Sequence, residues 1–279
     1  MNMIINGLLE QCFPVDLDPE IPGFAGRHYP GGKGIFGNFF RCFSRQVGTS
    51  PYEQATKGQL WIAKFPSKHD ENDNGAWEKV VHDLAGLCGL NIPESKVEKF
   101  SKLGSTFLVK RFDRDGDKRI HFASAMTLLN KTDGDDASDG ISYLDMASFI
   151  KSNGARPKDD LIELWKRIVF NMAVTNTDDH LRNHAFIFTR EGWVLSPMYD
   201  VNPVPYGDEL SLNVDEEDNR ISLELAISVA PRFGIEEKKA SEYAERIVST
   251  VKTDWVALAK KYGLTRRQIE EMEPAFRLN

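Results

Sequence analysis

The residues best suited to chemistry lie between Phe170 and Asp200, in the stretch FNMAVTNTDDHLRNHAFIFTREGWVLSPMYD. Asp178, Asp179, His180 and Asn183 share one short polar loop, and Asp200 follows beyond two strand-like pieces, AFIF and WVL. Carboxylate and amide oxygens grouped in this way suit a hard cation such as Mg²⁺, and with it a phosphate. Transfer of a phosphoryl group needs one carboxylate to orient or deprotonate the acceptor hydroxyl, oxygen ligands for the metal, and a cation on the nucleotide phosphates.

The missing cation has a candidate upstream. QLWIAKFP reads as a β-strand with apolar Leu60, Ile62 and Phe65, and Lys64 stands within it. A lysine in such a place must pair or reach solvent, and an edge-strand lysine that snorkels is the plain alternative. Asn74 is the expected cap of the next element, AWEKVVHDLAGLCGL, whose Trp77, Val80, Val81, Leu84 and Leu87 recur at helical spacing. Glu78 is expected in the first turn of that helix, where the helix dipole alone would favour it. KVEKF and STFLVKRF follow as strands joined by a KLGS turn, so residues 58–112 read strand, helix, strand, strand.

Beyond residue 113 the pattern turns helical. HFASAMTLLN and ISYLDMASFIKSNG carry helical spacing, separated by an acidic loop, residues 133–139, that lacks EF-hand spacing and reads as a solvated connection. DDLIELWKRIVFNMAV places Leu161, Leu164, Trp165, Ile168, Val169 and Met172 on one stripe, with Asp159 or Asp160 as the expected cap. ISLELAISVAPRFG, an amphipathic run from about Glu236 to Tyr262, and LTRRQIEEMEPAF complete an α-rich second half. The fold class is therefore α+β: a small mixed lobe at residues 51–115 and a helical lobe at 116–279 carrying the polar loop. Residues 1–50, broken by glycines, are expected to form an irregular arm.

Composition narrows the setting. A length of 279 residues can hold one large domain or two lobes. No apolar run approaches a membrane span, and the N-terminal stretch lacks the basic region and cleavage site of a secretory signal. Three scattered cysteines give no disulfide framework, so a cytoplasmic location is expected. A net charge of −7 argues against a broad electrostatic footprint for nucleic acid.

Asp178 and Asn183 stand five residues apart, the offset of Asp and Asn in a kinase catalytic loop, and Asp200 falls where a second metal carboxylate is expected. Lys64, Glu78, the Asp178–Asn183 pair and Asp200 occur in the kinase order. The segments IAKFPS, GAWE, VKRFDR, NTDDHLRNHAF and LSPMYDVNP resemble those of the HipA-like protein kinases, the toxins of bacterial toxin–antitoxin modules, over residues 58–230. The resemblance implies a two-lobed kinase-like fold and phosphorylation of serine or threonine on a protein substrate, generally in the translation machinery, using ATP and Mg²⁺. It implies Asp178 as catalytic base, with His180 ordering the loop, and Asn183 and Asp200 as Mg²⁺ ligands. Lys64 would contact the nucleotide phosphates, Glu78 would hold Lys64, and Phe112 and Asp113 would lie near the interlobe hinge and the ribose. A DNA-binding antitoxin is the implied partner, with no direct nucleic-acid or membrane binding by this chain.

One departure lies upstream of Lys64. Family members carry a phosphate loop resembling S-x-x-G-x-x-x-K, whereas RQVGTSPYEQATKGQ keeps Gly48, Thr49 and Ser50 but lacks the second half. Ser50 or Thr49 is the candidate for autophosphorylation. Two other readings follow: a degenerate kinase that binds an antitoxin without catalysis, and a metal-dependent hydrolase using Asp178, Asp179, His180 and His184. The hydrolase reading leaves Lys64 and Glu78 without a role.

Overall fold

The computed structural model describes residues 40–44, 59–116 and 118–278. Thr49, Ser50, the segment expected to hold the phosphate loop, and the expected arm other than residues 40–44 lie outside the described residues.

A four-stranded antiparallel sheet builds the smaller lobe, in the order β1-β2-β4-β3. Its strands are β1 (Phe40–Ser44), β2 (Leu60–Lys64), β3 (Ser95–Glu98) and β4 (Thr106–Lys110). β1 differs from the expected irregular arm: Phe40 pairs opposite Lys64, and Cys42 opposite Ile62. Lys64 consequently stands on an inner strand, between β1 and β4, rather than on an edge.

Helix α1 (Asn74–Leu87) crosses this sheet. Its cap is Asp73, one residue before the expected Asn74. The Asp73 carboxylate accepts from Ala76 N at 3.3 Å, from Ser105 N at 2.9 Å and from Ser105 Oγ at 2.8 Å, so one side chain both starts the helix and ties it to β4. With the helix starting at Asn74, Glu78 falls beyond the first turn, and the dipole does not account for it. Gly75 permits the close approach, since a Cβ there would stand 2.3 Å from Ser105 O.

The larger lobe contains a short hairpin, β5 (Arg114–Asp115) and β6 (Lys118–Arg119), then a three-stranded sheet in the order β7-β8-β9. These strands are β7 (Phe122–Ser124), β8 (Ala185–Thr189) and β9 (Gly192–Leu195). HFASAMTLLN is thus a strand followed by the single-turn helix α2 (Ala125–Leu128), not one helix. Phe122, Ala123 and Ser124 are all buried, which removes the alternation that marks a half-buried strand. The helices are α3 (Tyr143–Asn153), α4 (Pro157–Ala173), α5 (Leu223–Val229), α6 (Glu237–Lys261) and α7 (Arg266–Met272). α4 starts from Arg156 with Pro157 as its first residue, so neither Asp159 nor Asp160 caps it. Asp160 is buried instead and accepts from Leu195 N at 3.1 Å, which ties α4 to β9.

The core runs through both lobes. Trp77, Val80, Val81 and Leu84 of α1 join Trp165 and Ile168 of α4 and Ile247 and Val251 of α6 in one cluster. Helix α1 is therefore held from the sheet on one side and from the helical lobe on the other. No helix among the described residues is long and apolar enough to cross a membrane.

Replacing a helical glycine by alanine ordinarily stabilises a helix by about 0.5–1 kcal/mol. At Gly75 the overlap with the β4 backbone should reverse the sign. Gly75→Ala is expected to cost about 1–3 kcal/mol in urea unfolding, and a gain in stability would show that α1 is free to lift from the sheet.

Candidate functional site

β2 brings Lys64 to the inner face of the sheet, directly beneath α1. Its ammonium donates to Glu78 Oε1 at 2.6 Å and to Asp200 Oδ1 at 2.5 Å. The Lys64 side chain is 11% exposed, that of Glu78 5% and that of Asp200 14%, so the triad lies almost out of water. Two positions on the smaller lobe and one on the larger are joined through a single nitrogen. Asp200 takes φ 57, a left-handed turn that aspartate tolerates better than most residues, and Asn202 Nδ2 donates to its Oδ1 at 3.3 Å.

The polar loop follows α4. Asn183 closes a single 3₁₀ turn, Leu181–Asn183, and its amide nitrogen donates to Asp178 O at 2.9 Å. The Asn183 Oδ1 atom is buried and has no hydrogen-bond partner among the described residues. A buried acceptor left open in this way is costly unless something occupies it. Asp178 behaves differently from its neighbours. Its side chain is 71% exposed, at the rim of a cavity of about 190 Å³ lined also by His180, Arg182, Asp133, Thr132 and Ser211. The acidic loop, expected as a solvated connection, thus forms one wall beside Asp178, and Asp133 pairs with Arg182 across it.

What holds the loop is a buried ring around Asp179, 2% exposed. Its carboxylate accepts from Tyr143 Oη at 2.6 Å and Asn171 Nδ2 at 2.6 Å, and meets His184 Nε2 at 2.9 Å. Tyr143 comes from α3 and Asn171 from α4, so the two helices grip the loop one residue past Asp178. Sequence reasoning met Asp179 and His184 only as metal ligands and missed Tyr143 and Asn171. The available cue was Asn171, a polar residue in a run whose other members are core. Asp179 and His184 face each other in the interior while Asp178 faces solvent. Among the described residues no three His, Cys, Asp or Glu converge to hold a metal by themselves.

His180 Nε2 stands 4.0 Å from Asp178 Oδ1, beyond hydrogen-bond reach, and the residue begins the turn that carries Asn183. Phe112 stacks on Tyr199 at 5.7 Å and meets Phe122 edge-on at 5.5 Å, at the junction of the lobes. The Asp113 carboxylate is buried and shared by two arginines. Arg111 grips it through Nε at 2.7 Å and Nη2 at 2.5 Å, and Arg114 Nη1 lies at 2.5 Å.

Electrostatics follow from one ammonium serving two carboxylates. Burial pulls the Lys64 ammonium down, but Asp200 and Glu78 outweigh it and hold its pKa above the ordinary lysine value. Burial disfavours the charge of Asp200 too, yet Lys64 keeps its carboxyl below the usual aspartate range. Glu78 takes the excess: burial pushes it up to about 7 against the pull of Lys64, and the like charge of Asp200 adds to the rise. Desolvation at the cleft raises Asp178, opposed by His180 and reinforced by Asp200 and Asp179. Burial also works against the charge of Asp179, but His184 and the Tyr143 hydroxyl hold its pKa low.

The Glu78 shift has a sign that unfolding can read. Between the ordinary glutamate pKa and about 7 the native protein holds a proton that the unfolded chain has released, so stability falls as pH rises through that window. The full contribution is about 3 kcal/mol, at 1.36 kcal/mol per pKa unit. Asp179 and Asp200 act with the opposite sign only below the ordinary aspartate range, whereas buried His82, pushed down to about 4, opposes Glu78 up to the ordinary histidine value. Urea unfolding between pH 5 and 8 should therefore be read as a difference: the wild type should lose stability relative to Glu78→Gln as pH rises toward 7, the His82 contribution being common to both. Parallel profiles would mean that Glu78 is ionised throughout.

The chain matches the HipA-like C-terminal domain family over residues 42–255. It is 27% identical over 226 residues to Y4mE of Sinorhizobium fredii, named as a candidate kinase, covering 76% of this chain and 46% of that protein. Against the serine/threonine-protein kinase toxin HipA of Shewanella oneidensis the identity is 24% over 191 residues, covering 60% of this chain and 42% of that one. The chain spans about half the length of the curated relatives it matches. Among solved structures, the Shewanella oneidensis MR-1 complex of HipA, HipB and operator DNA matches with a TM-score of 0.65 at 16% identity, covering 100% of this chain and 71% of that chain. That likeness shows the kinase-like α+β fold expected from the sequence. With the family matched over most of its length, this chain is a member of the HipA-like C-terminal domain family.

Proposed function

We propose that the chain is an ATP- and Mg²⁺-dependent kinase that phosphorylates serine or threonine on a protein, as the toxin of a toxin–antitoxin pair. The observation that carries this reading is the Lys64 ammonium held between Glu78 and Asp200, with the exposed Asp178 linked to Asp200 through Asn183, whose Nδ2 reaches the backbone oxygens of both. The residues present fit the ligand. Asp200 and the unpartnered Asn183 Oδ1 are hard oxygen donors of the kind Mg²⁺ prefers, and both lie on the larger lobe beside Asp178. Magnesium-bound ATP supplies the transferable phosphoryl group and neutralises charge as it leaves.

In this reading Lys64 grips phosphate oxygens while Glu78 keeps its ammonium aimed, and Asn183 and Asp200 hold the metal. Asp178 orients the acceptor hydroxyl and accepts its proton. Its exposure leaves it open to an incoming protein chain. His180 and the ring around Asp179 keep the loop in shape. Phe112 lines the hinge side of the nucleotide cleft, and Asp113, clamped by Arg111 and Arg114, stiffens that hinge. The Shewanella neighbour, a toxin–antitoxin complex of HipA, HipB and operator DNA, supports a DNA-binding antitoxin as partner; a cytoplasmic setting is expected from composition, and a target in the translation machinery is what the family resemblance implies.

The sequence upstream of Lys64 favours a second reading, in which the chain binds its partner without catalysis, because the second half of the usual phosphate loop is absent. Purified protein with γ-labelled ATP and Mg²⁺ separates the two. Transfer of label to protein should fall about 10²–10⁴-fold in Asp178→Asn, and Lys64→Met should lose transfer while remaining folded. Equal labelling by the wild type and Asp178→Asn would overturn the kinase reading.

A further inference from the structure

The turn Glu273–Phe276 reaches both halves of the cleft. The Phe276 ring, 3% exposed, stacks on Trp255 of α6 with centroids 4.5 Å apart. Its other aromatic neighbour is Trp77 of α1, at 6.2 Å. Trp77 immediately precedes Glu78, so the ring packs on α1 at the level of the carboxylate that holds Lys64. One residue earlier, Ala275 O accepts a buried hydrogen bond from Thr175 Oγ1 at 2.9 Å.

Thr175 stands three residues before Asp178, where the chain leaves α4 for the polar loop. It takes φ 49, a left-handed conformation that a β-branched residue rarely adopts and that costs about 1–3 kcal/mol. Strain of this size persists only where the surroundings over-determine it. Here Val204 N donates to Thr175 O at 3.1 Å, Ser211 Oγ donates to Thr177 O at 2.6 Å, and the Thr175 hydroxyl is spent on Ala275.

We infer that Ala275 and Phe276 form a clasp that sets the loop carrying Asp178 against the helix carrying Glu78, with Thr175 and Phe276 as positioning residues. The inference rests on the reading of Asp178 as the acceptor base. Adjacent residues are held one Cα–Cα step apart, about 3.8 Å, so a shift of α1 against Phe276 is transmitted to the bond at Ala275 and to the start of the loop. The phosphate-gripping side of the cleft and the acceptor side thus share one rigid turn. Transfer between them is sensitive to displacements of about 1 Å.

Thr175→Val keeps the branched shape and removes the hydroxyl, whereas Thr175→Ser keeps the hydroxyl. Per folded molecule, Thr175→Val should lower kcat about 10–100-fold with the KM for ATP nearly unchanged, and Thr175→Ser should restore the rate. Phe276→Leu, which fills the space without the stacked ring, should give a smaller loss of the same kind. Hydrogen exchange of the unliganded proteins reads the clasp without activity: amides of residues 176–184 should exchange faster in Thr175→Val than in Thr175→Ser, with the rest of the larger lobe unchanged. Equal rates and equal exchange in the valine and serine variants would overturn the clasp. Should the wild type transfer no more phosphate than Asp178→Asn, the kinase reading has failed, and exchange alone decides. Faster loop exchange in Thr175→Val then upholds the clasp, and equal exchange rejects it.

Discussion

The Lys64 ammonium, shared between Glu78 and Asp200, is the constraint around which the site is built. It joins an inner strand, a helix lying on that strand, and a turn from the other lobe. Each charge in it would be costly alone at this depth, and removing one partner leaves another buried without compensation, an effect worth about 3–5 kcal/mol. The arrangement is also unbalanced, with two carboxylates and one cation, and Glu78 rather than Asp200 gives way because its side chain is less exposed and Asp200 is supported in addition by Asn202 and His180. The Asp200 carboxylate and an amide oxygen without a partner among the described residues are donors suited to a divalent cation.

The lobes are not independent bodies tied by a hinge alone. Helix α1 contributes Trp77, Val80, Val81 and Leu84 to the same core as α4 and α6, and its far end is anchored where Asp83 accepts from Tyr262 and pairs with Lys79. Cys88 Sγ lies 3.8 Å from Ile247 O just past that end. Glu78 is therefore held in its pairing position by packing within the chain. The larger lobe is equally fixed, with Tyr143, Asn171 and His184 converging on Asp179 directly behind the exposed Asp178. Rigid support behind an exposed carboxylate is what a positioned base requires.

Much of this was legible in the sequence because it rests on periodicity and on order along the chain. The stripe in α4, the apolar spacing of α1, and the strands around Lys64, Phe107 and Phe186 all announce themselves. Lys64, a cation in an apolar strand, called for a partner, while Glu78 and Asp200 were reached through their order along the chain and the family resemblance. What escaped was set by tertiary contact. Asp73, not Asn74, caps α1 because it also bonds Ser105, a residue distant in sequence. The strand Phe122–Ser124 has no alternation because both of its faces are covered. Asp113 is clamped by Arg111 and Arg114 in the interior, a pairing that nothing in the local sequence announces.

The proposed function requires that the lysine-centred triad and the Asn183 amide bind Mg²⁺ and a nucleotide together. Calorimetric titration with a non-hydrolysable ATP analogue, with and without Mg²⁺, tests it most directly. The account predicts binding that is strengthened by Mg²⁺ in the wild type and loses that dependence in Asp200→Asn. Binding that ignores Mg²⁺ in both proteins, or no binding by the wild type, would contradict it.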